Sequence, residues 1–121
     1  MKSGPVNPQP TALTLRTRSK LLRVEFDDGA AFELPFEYLR VFSPSAEVLG
    51  HGGGEGILQL GKQAVMVKSV EPTGNYAVRL VFDDGHDSGL YTWRYLYELG
   101  RNREARWARY VERCAAAGQP R

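Results

Sequence analysis

The chain has 121 residues and reads as one domain with a modest core. A formal charge of +2, with 25% charged and 42% hydrophobic residues, is ordinary for a globular protein and gives little support to a strongly charged partner. The single cysteine, Cys114, excludes an intrachain disulfide and fits a reducing cytoplasm. No apolar run approaches the ~20 residues of a membrane span, and Met1–Pro5 lacks the apolar core of a signal peptide, so the expected location is cytoplasmic.

Residues 1–12 carry three prolines and read as a flexible tail, with the domain over 13–117 and a short tail at 118–121. Leu13–Thr17 alternates like a strand. Leu21–Phe26 and Ala31–Leu34 read as a hairpin, and Pro35 suits the first turn of a helix over Phe36–Val41. Phe42–Gly56 is irregular, Ile57–Leu60 reads as a short strand, and Ala64–Val70 is β-branched and alternating. Pro72–Asn75 reads as a turn. Tyr76–Phe82 with Ser88–Tyr91 forms a second hairpin, and Thr92 caps a helix that stops at Gly100. Arg103–Ala116 places Trp107, Tyr110, Val111 and Cys114 on one helical stripe, which predicts core packing and makes Cys114 a small buried hydrophobe. The fold class is therefore α+β: two similar antiparallel β-hairpins, each followed by a short helix, plus a C-terminal helix.

The two hairpins are copies. Leu22–Gly29 aligns with Val78–Gly85 through a shared Phe-Asp-Asp-Gly, Leu34 aligns with Leu90, and Tyr38-Leu39 aligns with Tyr95-Leu96 after a one-residue insertion. A two-residue loop would set Val24 against Glu33 and mix polar with apolar groups on each face. A three-residue loop, Asp27-Asp28-Gly29, sets Val24 against Phe32, Leu22 against Leu34 and Arg23 against Glu33. Carried to the second copy, this register pairs Phe82 with His86 and Val78 with Leu90. Just after the turn the first copy has Ala30 and the second has His86, so the repeat adds an imidazole once. That difference makes His86 the first candidate site residue, set against its alternative as a satisfied histidine at the core edge. Because Ala30 fills the equivalent place, His86→Ala is expected to leave the fold intact.

Other candidates compete with it. Gly56–Gln63 nearly spells a phosphate-binding loop, but Gln63 replaces the hydroxyl residue and a strand follows where a helix is required. Six arginines in residues 101–121 face Glu104 and Glu112; interleaved with the apolar stripe they read as a solvated face, and nucleic acid is not the expected partner. Asp83, Asp84 and Asp87 surround His86 and form a candidate divalent-metal set, with His51 as a further nitrogen ligand. Against this, Asp-Asp-Gly is ordinary turn chemistry. No local motif assembles a nucleophile, a base and an acid.

The run Leu39–His51, with Gly61-Lys62, Glu71–Val78, Phe82–Trp93 and Tyr95–Gly100, resembles the gamma-butyrobetaine-hydroxylase-like N-terminal domain family across about residues 13–113. The resemblance implies an α+β accessory domain. Members stand alone in bacteria, precede carnitine-pathway hydroxylases, or are fused to P-loop ATPases of iron–sulfur cluster assembly. In the hydroxylases the domain holds a structural zinc through three cysteines and a histidine. The histidine maps onto His86 and the cysteines onto Ser43, Ser45 and Val48, so all three thiolates are missing and the protein is expected to fold without zinc. The resulting expectation is a non-catalytic binding or adaptor module that engages a partner protein in iron–sulfur or metal handling. Its surface is placed around His51, His86 and Ser43–Val48, including Ser45. No cofactor is firmly implied. The alternative is a metal-binding protein that uses His86 with the nearby carboxylates.

Overall fold

The computed structural model describes residues 8–44 and 58–119. Its first sheet is a meander of β1 (Pro10–Arg16), β2 (Leu21–Phe26) and β3 (Ala31–Pro35), in that spatial order, followed by α1 (Phe36–Val41). The second sheet repeats the plan with β4 (Val67–Thr73), β5 (Ala77–Phe82) and β6 (Leu90–Thr92), followed by α2 (Trp93–Arg101). A further helix, α3 (Arg103–Ala116), completes an α+β fold. Strand alternation explains the core: Leu22, Val24 and Phe26 of β2 are buried, and so are Val78, Leu80 and Phe82 of β5. These join Leu34, Leu39, Tyr91 and Leu96 in one cluster shared by both repeats. Thr92 caps α2 by accepting a hydrogen bond from Tyr95 N–H at 3.1 Å.

The first hairpin has the three-residue loop. Phe26 N–H donates to Ala30 O at 2.8 Å, and Val24 pairs with Phe32, Arg23 with Glu33 and Leu22 with Leu34. In the second, Phe82 N–H donates to His86 O at 3.0 Å, but Val78 then pairs with Tyr91 rather than Leu90. The inserted residue thus lies within Asp87–Gly89, ahead of β6 and not after it. It turns Leu90 outward, 39% exposed, and puts the fully buried Tyr91 where the first copy has Leu34. A one-residue slip exchanges the two faces of a strand.

Other boundaries differ for local reasons. β1 begins at Pro10, ahead of the expected Leu13, because its bulged register with β2 extends to Phe26. Residues 1–7 lie outside the described residues. The short strand expected over 57–60 is not seen at Leu58–Leu60, which are irregular. β4 runs through Pro72 and Thr73, which its position at a sheet edge tolerates, and the turn is Gly74–Tyr76. α2 passes Gly100 and ends at Arg101. Gly100 is a site of close packing, since a β-carbon there would overlap the Phe32 ring. On α3, Tyr110 and Cys114 are buried as expected, but Val111 is 44% exposed.

Gly29 and Gly85 have φ of 89° and 90°, and a β-carbon at either would meet nothing within 4 Å. Replacing either by Ala is therefore expected to cost about 1 kcal/mol through backbone conformation alone. Gly100→Ala should cost more, about 2–3 kcal/mol, because the ring must move. Denaturant unfolding of the three variants checks the order.

Candidate functional site

The two repeats exchange hydrogen bonds reciprocally. Tyr38 Oη donates to Leu99 O at 2.7 Å, and its counterpart Tyr95 donates to Phe42 O, the counterpart of Leu99, at 2.5 Å. Each hairpin tip is also held by the other repeat. Asp28 Oδ1 accepts from Ala30 N–H at 2.9 Å and Asp84 Oδ1 from His86 N–H at 3.1 Å, the same turn twice. Asp28 Oδ2 accepts from Tyr97 of α2 at 2.5 Å, whereas Asp84 Oδ2 accepts from Arg40 of α1 at 2.8 Å. Arg40 and Tyr97 occupy equivalent places in their helices. The Tyr97 hydroxyl, ahead of the Ala30 N–H, holds Asp28 below the usual carboxylate range.

This pseudo-twofold arrangement breaks at the β5–β6 tip. There Lys62 Nζ also reaches Asp84 Oδ2 at 2.8 Å, so two cations share one carboxylate oxygen. The Arg40 side chain is only 8% exposed, and its Nη1 lies 3.5 Å from Gln59 Oε1. Burial raises the Asp84 carboxyl, but hydrogen bonds from Lys62, the His86 N–H and Arg40 outweigh it and hold the pKa at about 2. Beside this cluster His86 is 6% exposed, with its ring 6.1 Å from that of Phe82. Its Nε2 lies 2.8 Å from the fully buried Ser43 Oγ. Gly89 makes room for that contact, because a β-carbon there would overlap Ser43 Oγ. The first repeat has the converse packing at the same places, with the Phe32 ring over Gly100. Tyr91, whose hydroxyl is pushed up by burial, donates to Leu39 O at 2.6 Å and ties α1 to the same corner.

The structure brings Ser43 and His86 together and disperses the carboxylates expected around them. Asp83 Oδ1 accepts from Met66 N–H at 3.0 Å, Asp84 is engaged by Arg40 and Lys62, and Asp87 Oδ2 pairs with Arg79 at 3.3 Å. Among the described residues no group of three or more His, Cys, Asp or Glu side chains is gathered to hold a metal ion. A zinc site of the kind found in the hydroxylases does not fit here. Where it needs a thiolate, the Ser43 hydroxyl hydrogen-bonds the very imidazole nitrogen it would have to share with the metal. His51, Ser45 and Val48 lie outside the described residues. The near-phosphate loop also finds another use, since Lys62 serves Asp84 and Gly61 takes φ of 72° with no helix following. Several C-terminal arginines are engaged within the fold: Arg103 donates to Glu33 O at 2.8 Å, Arg106 lies over the Phe42 ring at 5.7 Å, and Arg109 pairs with Glu112 at 3.0 Å.

Arg40 and Gly89 were not among the candidate residues read from the sequence, and Lys62 was read only as part of the near-phosphate loop and a family signature. The signal for Arg40 was present: an arginine between Leu39 and Val41 in α1, aligned with an aromatic residue in the second copy.

The two hairpin–helix repeats and the corner they build define an α+β domain of internally repeated design. The chain matches the family described as gamma-butyrobetaine hydroxylase-like, N-terminal, over residues 13–97, and it belongs to that family. Two similar proteins known from NMR solution structures share 46% and 49% identity with it, at TM-scores of 0.83 and 0.81. The alignments cover 100% and 94% of this chain and 90% of each of those chains. A crystal structure of a DUF971-family protein of unknown function from Acidithiobacillus ferrooxidans is 39% identical, with a TM-score of 0.65, over 76% of this chain and 92% of that one. Comparison with curated proteins gives no match.

The depressed pKa of Asp84 makes a pH prediction. Unfolded, the carboxyl titrates near 4; folded, it titrates at about 2. The group therefore contributes stability above pH ~4, on the order of 2 kcal/mol, and that contribution is lost as pH falls from ~4 through ~2. Between pH 5 and pH 2 the wild type should lose more stability than Asp84→Asn; equal losses in urea titrations would remove the assignment. His86→Ala is expected to leave the fold intact at a cost of about 1–3 kcal/mol, because the side chain is buried and bonded to Ser43. Chemical denaturation measures it.

Proposed function

We propose that this chain is a non-catalytic, cytoplasmic binding or adaptor module whose partner protein docks on the β5–β6 tip and the adjoining end of α1. The observation that carries the reading is the concentration of asymmetry at that corner. The scaffold is built twice, yet Lys62, His86, Ser43 and the extra residue beside Gly89 occur on one copy only. The paired cations on Asp84 have no equivalent in the first repeat, where the Tyr97 hydroxyl holds the same turn. The buried groups hold the tip rigid. The groups that a partner meets are Asp83, Asp87 and the outer face of Asp84 with Lys62. In this reading His86 and Ser43 position the tip and do not touch the partner. Among the described residues no helix is long and apolar enough to cross a membrane. The link to iron–sulfur or metal handling rests on the fusion of this family's domain to iron–sulfur-assembly ATPases.

Affinity capture from native lysate tests the reading when wild type is compared with Lys62→Ala and Asp87→Lys. Both variants should melt within a few degrees of wild type, since their ion pairs lie near the surface. Both should lose at least nine-tenths of a captured protein that wild type retains in 0.5 M salt. Retention by both variants would move the site elsewhere. Loss of all capture at raised salt would point to a nucleic-acid-mediated contact instead.

A further inference from the structure

We propose that residues 58–62 form a latched strap that opens while the rest of the fold stays closed, and that its opening uncovers an apolar surface between α1 and α3. Val41 of α1 makes a small cluster with Tyr110 and Cys114 of α3, apart from the core that the two repeats share. All three side chains are buried. Leu58 packs against this cluster, together with Phe42 and Trp107. The cover of the cluster thus includes a side chain from a segment that is neither helix nor strand.

Side chains of three other elements hold the strap. Tyr110 Oη of α3 donates to Gln59 O at 2.6 Å, Arg40 Nη1 of α1 lies 3.5 Å from Gln59 Oε1, and Lys62 Nζ reaches Asp84 Oδ2 of the β5–β6 turn at 2.8 Å. Among the described residues the strap adds no rung to either sheet, so it parts without breaking a ladder. Beyond it the chain is fixed again: Val65 is buried, and Met66 N–H donates to Asp83 Oδ1 at 3.0 Å. A segment tied in this way opens at lower free energy than the strands it borders. The latch also opens without stranding a charge. Asp84 keeps Arg40 when Lys62 leaves, and Lys62, with 21% of its side chain already exposed, passes into water. The opening needs no partner, so it stands or falls separately from docking at the β5–β6 tip.

Cys114 is the chain's one cysteine, which gives the opening a direct readout. Iodoacetamide, an uncharged reagent, is added to the full chain at urea concentrations below the unfolding transition, and alkylation is followed by mass spectrometry. The wild-type rate should rise with urea much less steeply than global unfolding, because only a small surface is exposed. Leu58→Ala should speed alkylation about tenfold by removing packing, and Lys62→Ala about threefold by removing the latch. Raising salt to 0.5 M should speed the wild type and leave Lys62→Ala unchanged. Gly29→Ala weakens the fold at the other hairpin tip and should leave the rate as it is. If Leu58→Ala fails to fold, Lys62→Ala and the salt dependence decide. The proposal is overturned by a thiol that stays unlabelled until the fold melts, by a urea slope equal to that of global unfolding, or by acceleration in Gly29→Ala equal to that in Lys62→Ala. It is also overturned by a shallow slope with wild-type rates in both strap variants, which would assign access to fraying of the last turn of α3.

Discussion

Two helices end inside this molecule, and their terminal carbonyls must find donors there. The last turn of a helix leaves its carbonyls without intrahelical partners, and burial makes that costly. Phe42 O after α1 and Leu99 O near the end of α2 are met by Tyr95 and Tyr38, each a tyrosine of the opposite repeat. Burial pushes both hydroxyls up, so they stay protonated and remain donors. The exchange fixes the relation of α1 to α2. Once those helices are set, Tyr97 falls beside the first hairpin tip and Arg40 beside the second. Neither repeat supplies the donor for its own helix-end carbonyl, so the fold is a mutual dependence of two halves rather than two small units in contact.

Within that frame the halves trade volume. The Phe32 ring over Gly100 stacks edge-on with Phe26 and Tyr97, which makes the first corner aromatic. At the second corner Gly89 takes the place of Phe32, and Ser43 that of Gly100. Removing a phenyl ring from a packed interior leaves a cavity unless something fills it. His86 and the phenol of Tyr91 fill it, and both bring polar atoms that need partners. Ser43 meets the imidazole, and the Leu39 carbonyl meets the phenol. One substitution in size thus accounts for a local polar network.

What could be read from the sequence follows from the range of the forces involved. The register of the first hairpin was legible because alternation and turn chemistry act within a few residues: Val24 opposite Phe32 and Gly29 in the left-handed region follow from a short segment. Thr92 as a cap and α3 as an amphipathic helix were legible for the same reason. The position of the inserted residue was not. Leu90 and Tyr91 are both apolar, and only the long-range contact of Tyr91 with Leu39 decides which of them faces inward. The burial of His86 was hidden in the same way, because its partner Ser43 is remote in sequence. The acidic run Asp83, Asp84 and Asp87 looked like a ligand set only until three separate elements claimed its members.

The same corner shows how one architecture can be closed by different chemistries. The resemblance to the hydroxylase members implied a metal between the segment after α1 and the second hairpin tip. Here the same elements are joined by the Ser43–His86 bond and by Asp84 between Arg40 and Lys62. A metal shell needs its ligands ionised and aimed at one point, and it fails if one is lost. A hydrogen-bonded network has no single centre, but it holds a charge that is nine-tenths sequestered, and removing one partner of such a pair typically costs about 3–5 kcal/mol because the other remains buried. Arg40 is therefore committed to Asp84 rather than available to a ligand. Lys62, the more exposed cation on the same oxygen, is the member that can turn outward without stranding a charge. The corner thus has a fixed inner pair and an adjustable outer cation, with Lys62 on the more exposed side of the shared carboxylate.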